Sequence, residues 1–61
     1  MKRGDRVIIS ATLNGFGYEM KGTVTHVEEF MKHTLVSVKY DKPDPFGIIG
    51  GTYYQNQLEE E

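Results

Sequence analysis

Apolar residues recur at every second position in short runs, the pattern of strands with one buried face. In residues 5–10, Val7 and Ile9 point one way and Arg6 and Ile8 the other. Asn14-Gly15-Phe16-Gly17 then carries turn chemistry, because Asn and Gly reach positive φ at little cost. A second strand is expected over residues 20–28. Val24 and Val27 are three apart there, so they share a face only across a bulge. The clearest strand is residues 34–41, with Val36, Val38 and Tyr40 inward and Ser37, Lys39 and Asp41 outward. Asp41-Lys42-Pro43-Asp44-Pro45 breaks the pattern, since neither proline donates to a ladder.

A fourth strand is expected at residues 51–54, rich in the Thr and Tyr that suit pleated surfaces. Gln55-Asn56-Gln57-Leu58 fits one helical turn with Leu58 plugging an end of the core. Glu59-Glu60-Glu61 is at most a stub of a fifth strand. No segment has an amphipathic helical pattern, and there is no internal repeat. Gly4-Asp5-Arg6-Val7 and Gly22-Thr23-Val24 each open a strand on a glycine. The class expected is all-β: a small five-stranded SH3-like barrel with a short helical turn before the last strand, forming one domain over residues 1–61. Its expected core is Val7, Ile9, Val24, Val27, Val36, Val38, Tyr40, Tyr54 and Leu58.

Composition narrows the function classes. A chain of 61 residues without Cys has neither disulfides nor thiolate metal ligands to stabilise it. It must close a compact β-core or bury surface against a partner. Apolar content of 38% argues against disorder, and a net charge of −2 argues against non-specific binding to phosphate backbones. No apolar run approaches the roughly 18 residues of a membrane span, and Met1-Lys2-Arg3 does not open like a signal peptide. The location expected is cytoplasmic, or peripheral on the cytoplasmic or stromal face of a membrane complex.

Nothing in the sequence assembles into a catalytic motif. His26 and His33 match no zinc spacing, even with Glu28, Glu29 or Asp41 as further ligands, and read as surface or hairpin histidines. There is no nucleophile elbow and no phosphate loop. Gly15-Phe16-Gly17 lies between strands rather than at a helix N-terminus. Asp5, Asp41 and Asp44 fit turn and strand-end roles. The expectation is a non-enzymatic module with no catalytic or metal-binding residues, no cofactor and no small-molecule substrate.

Two loops carry large apolar residues beside Gly or Pro: residues 14–18 and 43–51. Phe16, Tyr18, Phe46, Ile48 and Ile49 are either exposed anchors for a partner or caps folded over the barrel ends; both readings stay open. Phe30 and Met31, at the expected hairpin tip, form a further contact point. Lys2, Arg3, Arg6, Lys21, Lys39 and Lys42 lie along the first three strands, a basic strip that would steer an acidic partner. The partner-binding candidates are Arg6, Phe16, Tyr18, Lys39, Lys42, Phe46 and Ile48, and the partner expected is a protein.

Arg3-Gly4-x-x-Val7-x-Ile9, Gly22-Thr23-Val24-x-x-Val27, Val36-x-Val38-Lys39-Tyr40-Asp41-Lys42, Gly47 and Leu58-Glu59 together resemble the photosystem I reaction-centre subunit IV (PsaE) family. The resemblance covers nearly the whole chain. It implies a five-stranded SH3-like barrel on the stromal or cytoplasmic face of photosystem I that helps ferredoxin dock and neighbouring subunits assemble. It also implies that Lys39 stands where the family places a cation facing the acidic carrier. The first loop departs from the family, with Phe16-Gly17-Tyr18 in place of Ser-Tyr-Trp, and so does the stretch of residues 43–51. KOW-type nucleic-acid-binding modules share the Gly-Asp-x-Val opening and a Gly before the second strand, but normally on a more basic surface. Type II dihydrofolate reductases share Gly4-Asp5-Arg6-Val7, but their Val-Gln-Ile-Tyr strand is absent. A further alternative is a small phage or accessory protein that binds a host protein through its apolar loops.

Overall fold

The structure, a computed structural model, describes residues 1–61. Five strands form one antiparallel sheet: β1 (Arg6–Ile9), β2 (Met20–Phe30), β3 (His33–Tyr40), β4 (Gly50–Tyr54) and β5 (Glu59–Glu60). Their order across the sheet is β4-β3-β2-β1-β5, so β1 lies between β2 and the short β5. No ladder joins β4 to β5. They are linked by a 3-10 turn, Gln55–Gln57, which packs against β3.

One face of the sheet holds the core. Val7, Ile9, Met20, Val24, Val36, Val38 and Leu58 are buried in a single cluster, with Leu13, Phe16, Val27, Tyr40 and Tyr53 packed on it. Met20, Gly22 and Val24 alternate onto this face. The β2–β3 register then slips between Val24 and His26, and this brings Val27 onto the same face opposite Val36. The bulge that the spacing of Val24 and Val27 demands is therefore present. Gly22 fits only because it has no side chain: a Cβ there would lie 2.5 Å from the Lys39 carbonyl oxygen and 2.6 Å from a Val38 methyl.

Four features differ from the sequence expectation. Tyr53, not Tyr54, faces the core, because the register sets it opposite Val36 while Tyr54 stays 48% exposed. Met20 joins the core opposite Ile9. β2 runs two residues further, to Phe30, and turns through Met31 and Lys32, both at positive φ. The first loop contains a single helical turn, α1 (Ala11–Asn14), too short to show a helical periodicity. The turn before the last strand, buried Leu58 and the two-residue β5 are as expected.

Tyr40 and Tyr53 meet through their hydroxyls at 2.5 Å on the core face. Gly51 leaves them room, since a Cβ there would lie 2.8 Å from the Tyr40 hydroxyl. Burial, reinforced by the bond to Tyr40, pushes the Tyr53 hydroxyl above the ordinary tyrosine range. No helix is long and apolar enough to cross a membrane.

Candidate partner-binding surface

Two loops shape one end of the molecule, and they use the same local device. In the first, Ser10 caps α1 by accepting from the Leu13 amide at 3.1 Å, and Gly15 ends it at φ +75°. Asn14 Oδ1 then accepts from the Phe16 amide at 2.8 Å, while its Nδ2 donates to the Tyr18 carbonyl at 3.0 Å. In the second, Asp44 Oδ1 accepts from the Phe46 amide at 2.8 Å and the Ile48 amide at 2.9 Å. Two backbone bonds between Asp44 and residues 47 and 48 complete that turn. Asn14-Gly15-Phe16-Gly17 and Asp44-Pro45-Phe46-Gly47 are thus two copies of one motif. An Asx side chain holds the amide of a Phe two residues on, and the following Gly sits at φ near +80°.

The two motifs bring their phenylalanines together. The rings of Phe16 and Phe46 lie 6.0 Å apart at 56°, and Tyr18 stacks on Phe16 at 6.4 Å. Both distances fall in the range of favourable aromatic pairing. Phe16 is half-buried against the core, so of the two readings of this loop it is the capping one that applies to Phe16. Tyr18 and Phe46 stand out from it, and Phe46 is 79% exposed. Ile48 and Ile49 are exposed beside them. An open groove of about 460 Å³ runs from Tyr18 between residues 18–21 and 41–43, with Lys21 and Lys42 on its walls.

The basic candidates divide into two kinds. Arg6 is committed to partners within the chain: on the surface its Nη1 and Nη2 fork onto the two Asp41 carboxylate oxygens at 2.6 and 2.5 Å. Nη1 also reaches Thr23 Oγ1 at 2.9 Å, and Nη2 lies 3.4 Å from Glu61. These bonds hold the Asp41 carboxyl below the usual carboxylate range and raise the Arg6 guanidinium. Arg6 ties β1 to the end of β3 and presents little net charge. Lys39 and Lys42 form no ion pair. Lys39 projects from the outer face, opposite Thr23 on one side and the bare backbone of Gly50 on the other.

The structure therefore gathers Phe16, Tyr18 and Phe46 in one cluster and sets Ile48 and Lys42 next to it. Lys39 stands apart on the sheet, and Arg6 is held in a salt bridge. Asn14 and Asp44, which shape the surface, are residues that a search for anchors and cations passes over. The repeated Asx-x-Phe-Gly spacing is the signal that marks them. At the opposite end, Phe30 and Met31 are exposed at the hairpin tip, and the His33 ring lies 5.2 Å from that of Tyr54. No group of three or more His, Asp or Glu side chains is placed to hold a metal ion. No protein-family model, curated protein or solved structure matches this chain.

Proposed function

We propose that this chain is a non-enzymatic docking module that engages an acidic protein through its aromatic end. One observation carries the reading: two side-chain-locked turns converge to hold Tyr18 and Phe46 outward on a half-buried Phe16 base. Aromatic anchors fixed before binding avoid part of the ordering cost, about 0.5–1.5 kcal/mol for each immobilised side chain. Such anchors dominate interface energies. Lys39 and Lys42, free of internal partners, supply the steering field, while Arg6 acts by holding the groove wall at Asp41.

The sharpest form of the proposal follows the resemblance to the photosystem I subunit: the partner is an acidic electron carrier such as ferredoxin, met on the cytoplasmic or stromal face of that complex. Association kinetics with ferredoxin across a salt series test it. Lys39→Glu should slow association by roughly tenfold at low salt and flatten its salt dependence. Phe46→Ser should speed dissociation and leave the association rate nearly unchanged. If neither substitution alters the kinetics, or if ferredoxin does not bind, the proposal fails. Retention of the chain on DNA or RNA at low salt would point to the KOW-like alternative.

A further inference from the structure

The two edges of the sheet are built differently. The β5 edge carries Glu59 and Glu60, with Glu61 next in sequence, and negative charge of this kind keeps foreign strands from pairing. The β4 edge has no such guard: residues 48–54 read Ile-Ile-Gly-Gly-Thr-Tyr-Tyr, without a charge or a proline. The Tyr40 amide donates to the Ile49 carbonyl at 2.8 Å, so residues 49, 51 and 53 turn their backbone groups toward β3. Gly50, Thr52 and Tyr54 turn theirs away. The outward amide of Tyr54 is taken up by Gln57 Oε1 at 3.0 Å, whereas the outward amides of Gly50 and Thr52 have no partner in the chain.

We propose that this edge pairs with the β4 edge of a second copy of the chain, antiparallel and centred on Thr52, to form a two-fold symmetric dimer with one continuous sheet. The strand is complementary to itself in this register. Thr52 faces Thr52 and exchanges two backbone bonds with it, and the Gly50 amides flank that pair. Both outward groups of Tyr54 stay in the turn that follows β4, its carbonyl as the first acceptor of Gln55–Gln57 and its amide on Gln57 Oε1. The Gln57 cap on the Tyr54 amide stays in place and marks where the pairing stops. On the outer face each Tyr54 ring, 48% exposed, comes beside the other copy's Gly50, a residue that is glycine because a Cβ there would lie 2.5 Å from the Val38 carbonyl oxygen of its own sheet. Both strands are uncharged, so their approach sets no like charges against each other. A β5–β5 pairing would oppose glutamates. Because the interface is isologous it closes as a dimer rather than growing into a filament.

Sedimentation equilibrium of the whole chain, with far-UV circular dichroism and thermal melts as controls on folding, tests this. The wild type should show a concentration-dependent monomer–dimer equilibrium. The exposed Thr52 side chain makes one hydrogen bond, at 3.4 Å to the Ser37 hydroxyl, so Thr52→Lys and Thr52→Glu should each fold. Each sets like charges face to face at the two-fold axis and should weaken the dimer by more than about tenfold. Mixing the two variants should restore association through a lysine–glutamate pair. Phe46→Ser, at the aromatic end, should dimerise like wild type. A wild type that stays monomeric at millimolar concentration, a dimer indifferent to Thr52→Lys, or a mixture of folded variants that does not associate would overturn the proposal.

Discussion

Replacing Asp44 by Ala removes the acceptor of two amide bonds, from Phe46 at 2.8 Å and from Ile48 at 2.9 Å, and nothing else in the second loop replaces it. A net contribution of about 0.5–1.5 kcal/mol per bond sets the scale. The amides are solvent-exposed and hydrate once released, and the backbone bonds between Asp44 and residues 47 and 48 survive, so the loss belongs in the range of about 1–2 kcal/mol. No buried core residue lies in this loop, so the loss appears as local opening rather than global unfolding. Solvent-exchange NMR reads it directly: the Phe46 and Ile48 amides should exchange about 5–30 times faster, with the thermal midpoint almost unchanged. The Phe16 amide, held by Asn14, should keep its rate. Unchanged exchange at Phe46 and Ile48 would refute the claim that Asp44 holds the surface in place. A uniform acceleration across all strands would refute its local character.

Further outcomes follow from the packing and the charges. Gly22→Ala drives a methyl into the Lys39 carbonyl and the Val38 side chain, neither free to withdraw. It should cost about 1–3 kcal/mol in urea unfolding, a sizeable share of the stability of so small a domain. Asp41 titrates below its unfolded value, so the unfolded chain binds the extra proton and the contribution of the Arg6 fork is present at neutral pH. It should be lost as pH falls through the ordinary carboxylate value, about 4, toward the folded one, and Arg6→Met should flatten that acid slope in urea midpoints. Both side chains are about two-fifths exposed, so the effect is small and is read as a difference in slope.

The sheet was largely legible in the sequence because the core residues of β1 and β3 alternate. Val7 with Ile9 and Val36 with Val38 set their own phase, and the odd spacing of Val24 and Val27 required the bulge that the register contains. β4 was not phased by its own residues. Two adjacent tyrosines satisfy either alternation, and only the pairing of Val36 with Tyr53 decides between them, a contact invisible to a local pattern. Ser10 and Gly15 cap the helical turn of α1, but its four residues are too few for a helical period to emerge in the sequence. At the site, large apolar residues between turn residues were readable as either anchors or caps, and the fold divides them, with Phe16 on the core and Tyr18, Phe46 and Ile48 exposed. The meeting of Phe16 with Phe46 and the fork of Arg6 onto Asp41 join positions far apart in the chain, and only the folded sheet brings them together.

The proposed partner meets the aromatic end, with Lys42 next to it and Lys39 further along the sheet. Titrating isotopically labelled chain with ferredoxin and following amide chemical shifts tests it most directly. Shifts should concentrate at Phe16, Tyr18, Lys39, Lys42, Phe46 and Ile48, and be reduced by salt and by Lys39→Glu. Shifts confined to the hairpin tip at Phe30 and Met31, or no shifts at all at low salt, would contradict it.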